Sequence, residues 1–275
     1  MKEIVYTAQA SFRTPQVFWQ ALRDDLRVVR HIGWRLFVRN LLVQSRQNLL
    51  GYAWLLLPSL LVALVWVLLG QANIVRGPSG VPYPAYVLAG TLLWQGFAEA
   101  VACPLTNLQA ARGTIAKVRV PHEAFVVAGL GSIWFNQTIR LAILLGVLLW
   151  LRIPLHATVL LLPLGLLALQ VLGLALGWLL APVGLLYGDV STALAMGLNL
   201  WFLLTPVVYA PTGALARFGV FNPVTPLLNT ARQWLLTGQL APAPGFWATE
   251  LAALVLLLGS WLLYRLARPH LLVRL

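Results

Sequence analysis

Covalent chemistry has little to work with in this chain. Its 275 residues include only 7 Asp and Glu, 4 His and 1 Cys. A phosphate-cradling P-loop needs Gly-Lys followed by Ser or Thr. Both lysines, Lys2 and Lys117, stand in other surroundings, between Met1 and Glu3 and between Ala116 and Val118. His31, His122, His156 and His270 lack the paired spacing of a zinc site, and Cys103 alone builds neither a thiolate site nor a disulfide. No nucleophile-elbow pattern is present. No catalytic, cofactor or metal residue is expected, and any ATP hydrolysis falls to a separate subunit.

Recognition chemistry is better represented. Asn199, Phe202, Pro206 and Tyr209 recur at spacings of three, four and three, which puts them on one helix face. Rings with a few hydrogen-bonding groups suit sugars, which present apolar C–H faces and hydroxyl edges. Ordinary helix packing is the competing reading for each residue. Trp94, Phe97 and Trp201 also lie well inside apolar runs, whereas Trp66, Tyr83, Tyr86, Trp150, Phe246 and Trp247 fall near run ends, where an interfacial belt explains them. Glu99, Arg140 and Glu250 are the charges within runs. Each costs on the order of 2.5–3.5 kcal/mol at a membrane helix centre, so paired or inward-facing positions are expected.

These residues need long apolar helices to hold them. The chain is 60% hydrophobic and 9% charged, with mean hydropathy +0.83, a balance outside the range of soluble domains. An all-α integral membrane fold with six transmembrane helices is expected, at about 52–70, 86–108, 124–151, 158–180, 193–209 and 246–266. Residues 1–51 form an N-terminal region and 52–275 the transmembrane domain. Within 17–47, Leu22, Leu26, Val29, Leu36 and Phe37 recur near helical period, with Arg23, Arg27, Arg30, Arg35 and Arg39 around them. That is the pattern of an amphipathic helix at a membrane surface. No cleavable signal is expected, because eight basic residues and no early apolar core occupy the first fifty positions.

Between spans five and six the chain breaks at Pro206 and passes Pro211, Gly213, Gly219, Pro223 and Pro226 before a short amphipathic helix ends at Gly238. Neither half reaches the roughly 20 apolar residues that a crossing needs. A re-entrant helical hairpin at about 210–240 is expected, because irregular backbone at membrane depth survives only where protein buries it or it lines a water-filled path. Thr225 is the expected cap of its second helix, Pro226 its first residue and Gly238 its stop. Fourteen basic residues fall on the side of the termini and of the 107–121 loop. Four (Arg76, Arg152, Arg217 and Arg232) fall on the other. The positive-inside rule then gives N-in and C-in with the hairpin outside, and the net charge of +12 is topogenic rather than a mark of nucleic-acid binding.

Read in order, these segments resemble the transmembrane (permease) subunits of type 2 ABC exporters of cell-surface polysaccharides, the family of O-antigen, capsule and teichoic-acid exporters. The family's approach to the first span matches Arg39-Asn40-Leu41, Leu50-Gly51 and Trp54, with Asn40 in place of the usual Asp. Gly90, Trp94 and Phe97 match the second-span pattern, and Lys117-Val118-Arg119-Val120-Pro121-His122-Glu123 the loop after it. Thr205-Pro206-Val207-Val208-Tyr209 and then Asn222, Pro223, Arg232, Leu235, Leu236 and Gly238 match the hairpin.

The resemblance implies a homodimer with two copies of a nucleotide-binding ATPase subunit, which would hold ATP and magnesium, in the bacterial inner membrane. The cargo would be a polyprenyl-diphosphate-linked glycan, with O-antigen the first choice among them. Asn199, Trp201, Phe202, Tyr209, Trp94 and Phe97 would face it. Arg112, Lys117, Arg119 and Asp189 would meet the ATPase. Arg35, Arg39 and Arg46 would receive the lipid diphosphate, although headgroup attraction accounts for these three equally well. An ABC exporter of a small drug or lipid shares this architecture. A membrane-embedded glycan-processing enzyme would need a carboxylate-rich loop, and the acids here are isolated.

Overall fold

A computed structural model of the chain describes residues 15–47, 53–72, 80–115, 117–118, 120–210, 219 and 221–272, and every element among them is helical. In order these are α1 (Pro15–Gln47), α2 (Ala53–Gln71), α3 (Tyr83–Ala110), the short α4 (Arg112–Ile115), α5 (His122–Trp150), a 3-10 turn (Ala157–Leu161), α6 (Leu162–Leu186), α7 (Asp189–Leu204), α8 (Val224–Leu236) and α9 (Phe246–Leu272). Prolines mark the starts. Pro82 precedes α3, Pro121 precedes α5 and Pro223 precedes α8, where a fixed φ is already helical and a missing N–H leaves no orphan donor.

Four segments are long and apolar enough to cross a membrane: Tyr83–Ala110, His122–Trp150, Ala157–Leu186 and Phe246–Arg268. Two further apolar stretches, Leu60–Gln71 within α2 and Asp189–Leu204, are shorter. The sequence carries the fifth apolar run to 209, but α7 stops at Leu204. Thr205 turns to an extended conformation (ψ 137°), because the ring of Pro206 disfavours a helical residue before it.

The centre of the bundle is α3 against α6. Every residue from Ala85 to Trp94 is buried, and the core runs from there into Leu166, Leu169 and Leu172 of α6 and Leu227, Leu228, Ala231 and Leu235 of α8. The two long helices meet along small residues. A Cβ at Gly173 would press on the Phe97 carbonyl and one at Gly177 on that of Val101, so α6 touches the backbone of α3. Small residues are how membrane helices reach van der Waals contact without a hydrophobic driving force. On the flanks, α9 packs on α6, and α1 packs along α5, with Phe37 seated over Gly131 and Gly33 against Val127. The amphipathic N-terminal segment is thus one continuous helix with a protein-facing side, while Leu26, Trp34 and Leu42 remain exposed.

Two helices sit lightly on this frame. No residue of α7 is buried, and Met196, Leu200, Leu203 and Leu204 are more than half exposed. On α2, Leu61, Leu64, Val65 and Leu68 are likewise open. Apolar faces of this extent are covered by lipid or by another chain.

Candidate functional site

The broken end of α7 is where the sequence reading and the geometry meet. From Thr205 to Val208 the backbone is buried yet not helical, so its carbonyls need partners from elsewhere. They have them. Arg232 of α8 donates from Nη1 to the Pro206 carbonyl (3.2 Å) and from Nη2 to that of Val207 (2.6 Å). The Tyr83 hydroxyl donates to the Val208 carbonyl (2.9 Å). Tyr86 places its single proton between the carbonyls of Tyr209 (3.3 Å) and Pro206 (3.5 Å), and its ring lies 3.8 Å beneath the Arg232 guanidinium. Gly90 leaves room for this, since a Cβ there would fall on both Arg232 and the Val207 carbonyl.

Sequence reasoning gave no inward role to three of these groups. Arg232 enters there only as one charge in the topology count, and it is only 4% exposed. It is held inside by carbonyls and an aromatic face rather than by a carboxylate. Tyr83 and Tyr86 read as interfacial belt residues because of their position near a span end. Their hydroxyls instead point inward to the break. Hydrogen bonds to main-chain carbonyls leave no periodic signal, and the only hint was a Gly, a Pro and an Arg recurring in one pattern.

Asn222 organises the other side. Its Oδ1 accepts from Trp201 Nε1 (3.1 Å) and from the Val224 N–H (3.0 Å), and its Nδ2 donates to Thr205 Oγ1 (2.8 Å). Thr205 in turn donates to the Trp201 carbonyl (2.8 Å). Thr225 does not cap α8: Pro223 holds the capping position with no side-chain bond, and Asn222 just before it closes a turn onto the Val224 N–H. Helix α8 begins before Thr225, at Val224, so the Thr225 hydroxyl lies past the capping position, buried without a partner among the described residues. At the far end Gly238 adopts φ +71° and donates to the Gln233 carbonyl (3.1 Å), the left-handed stop that glycine accepts at low cost. The first half of the hairpin, 211–218, lies outside the described residues.

The aromatic residues gather behind this unit. Trp94 stands edge-on to Phe202 (5.8 Å between centroids) and to Trp201 (6.3 Å), and Phe97 edge-on to Trp201 (5.4 Å). Trp94 and Phe97 are buried, Trp201 and Phe202 are half-buried, and Asn199 is exposed on α7. Tyr209 is half-buried and its hydroxyl donates to the Leu203 carbonyl (2.9 Å), closing the last turn of α7. Two of the three within-span charges pair, Arg140 Nη2 on Glu99 Oε1, with Gln137 accepting a longer bond from Arg140, whereas Glu250 Oε2 is buried without a partner among the described residues.

At the opposite end, Arg112, Lys117 and Asp189 are all exposed, Arg112 in α4 and Asp189 at the start of α7. Arg119 lies outside the described residues. Arg35 and Arg39 are exposed on α1, and the side chain of Arg46 also lies outside. Arg39 and Asn40 line a cavity of about 260 Å³ with Asn107 and Thr114. The sequence groups these basic residues only by charge, and the structure brings Arg39 alone to a polar cavity.

No protein-family model matches the chain. It is similar to the O-antigen export system permease protein RfbA of Myxococcus xanthus, with 27% identity over 228 residues, 80% of this chain and 85% of that protein. The likeness supports the type 2 ABC exporter permease family. Four helices long and apolar enough to cross a membrane agree with the multi-pass membrane protein that a permease is. The alignable length takes in most of the permease, so the likeness is not confined to one apolar run.

Proposed function

We propose that this chain is the channel-forming subunit of an ATP-driven exporter that moves lipid-linked polysaccharide, O-antigen in the first instance, across the inner membrane. The observation that carries the reading is the break after α7. A short apolar helix ends in a buried, non-helical segment whose carbonyls are hydrogen-bonded by side chains of α3 and α8, and α8 folds back into the core beside aromatic rings. Non-helical backbone of this kind belongs beside a path or within protein at membrane depth. The glycan cargo rests on the O-antigen export system of the Myxococcus relative.

In this reading α2 and α7 complete six spans, and the 210–240 hairpin is re-entrant and external. Two copies of the chain face each other across the lightly packed α2 and α7. Two ATPase subunits, which bind ATP and magnesium, dock on the 107–121 loop and on α1. Asn199 and Phe202 meet the sugar. Trp94, Phe97 and Trp201 back them, with the Trp201 N–H already committed to Asn222.

Alanine at Asn199 and Phe202 together is expected to lower surface glycan several-fold at unchanged protein abundance. A Phe that only packed would cost about 3–5 kcal/mol on truncation and lower abundance with export. Normal surface glycan from that double variant at normal abundance would sink the assignment. Orientation has its own check. Single cysteines at Arg112 or Lys117, in a background carrying Cys103→Ala, are expected to react with an impermeant reagent only after the inner membrane is opened. Reaction in intact cells would reverse the topology.

A further inference from the structure

At the end of the bundle that carries the 107–121 loop, one arginine joins three helices. Arg265 of α9 donates from Nε to Glu123 Oε1 (2.6 Å) and from Nη2 to Asp25 Oδ2 (2.7 Å). Glu123 lies in the first turn of α5, two residues after Pro121, and Asp25 lies on α1. Arg265 and Glu123 are almost fully buried, at 7% and 8% side-chain exposure, while Asp25 keeps about a third (34%). One residue earlier, the Tyr264 hydroxyl meets His122 Nδ1 (2.6 Å) and its ring packs on Trp178 of α6 (4.7 Å). Arg265 itself lies over Trp261 (5.2 Å).

The helix packing makes this cluster informative. The backbone of α9 packs on α6 and α8 and makes no extensive contact with α1 or α5. Among the described residues, its polar links to those two helices are Arg265 and the His122–Tyr264 bond. Both carboxylates are taken along adjacent donors of one planar group, each from a different helix. A guanidinium can hold two such partners in fixed directions, and an ammonium is a point charge on a flexible stem.

We infer that Arg265 is a positioning residue for energy coupling, the tie through which displacement of α1 or of the α5 start reaches the last membrane helix. This rests on the exporter reading above, in which the ATPase pushes on those two elements. Held by one arginine, α1 and the loop-side end of α5 move together with α9. Cut from it, α1 slides along α5 while α9 stays with α6.

The test uses the permease assembled with its ATPase in proteoliposomes, reading glycan translocated per ATP hydrolysed, per assembled complex. Asp25→Asn leaves the Arg265–Glu123 pair in place and strips the charge from the tie to α1, leaving at most a neutral hydrogen bond. It is expected to assemble normally and hydrolyse ATP, with the transport-to-hydrolysis ratio lowered about tenfold, the scale of one charge-assisted hydrogen bond. Asp25→Glu, which keeps the carboxylate, is expected to restore the ratio. A ratio in Asp25→Asn equal to that of the parent overturns the inference. Failure of the parent complex itself to translocate glycan would instead count against the exporter reading.

Discussion

Replacement of Arg232 by methionine will loosen the segment between α7 and α8 and lower the melting temperature of the purified protein by several degrees. Methionine keeps most of the volume and removes every donor. The Pro206 and Val207 carbonyls then lose their bonds at 3.2 and 2.6 Å in a buried place, at about 1–3 kcal/mol for each group left unsatisfied. The stacking on Tyr86 goes too, worth up to about 2 kcal/mol when desolvated. Removing a buried cation that has no carboxylate partner offsets part of this, leaving a net loss of about 3 kcal/mol. Limited proteolysis is the sharper readout, because the loss is local: cleavage between α7 and α8 should appear well before the rest of the bundle opens. Gly90→Ala should have the same signature, since its Cβ displaces both Arg232 and the Val207 carbonyl. Unchanged melting and unchanged cleavage in Arg232→Met would mean that the segment finds its bonds elsewhere.

The second large effect is at Arg140. Truncating it to leucine strands the Glu99 carboxylate, whose Oε2 already lacks a partner among the described residues. Removing one member of a buried pair costs about 3–5 kcal/mol. The low end applies here, because Glu99 retains 32% exposure. The double replacement of Glu99 and Arg140 by leucine should return to within about 1 kcal/mol of the parent, since neither charge then remains to be solvated. Unfolding in mixed micelles measures both. A double variant as unstable as Arg140→Leu would place the cost in packing rather than in charge.

Much of the architecture could be read from hydropathy and prolines. The expected 86–108, 124–151 and 246–266 fall inside Tyr83–Ala110, near His122–Trp150 and inside Phe246–Leu272, because apolar length and helix-start residues are local properties. The apolar face of α8 was equally legible, with Leu227, Leu228, Ala231, Trp234 and Leu235 all buried. What escaped is non-local. Tyr86 and the Pro206 carbonyl are 120 positions apart, and no window of sequence links a phenol to a main-chain oxygen. Arg232 and Arg265 look alike as charges on a topology count, yet one binds carbonyls and the other two carboxylates. Thr225 is not the cap because α8 already starts at Val224, where Asn222 closes a turn of its own two residues before that N–H.

The contact between α3 and α6 has a consequence for how such a subunit can be altered. With Gly173 and Gly177 set against the carbonyls of Phe97 and Val101, that pair has no slack for a single added methyl group on the facing side of α6. It must behave as one stiff block. Helix α7, with no buried residue of its own, is free of that constraint, and α2 exposes most of its leucines. A designer reshaping the bundle, or a lineage drifting in sequence, has those two helices to resculpt, while the glycine seam fixes the wall they rest against.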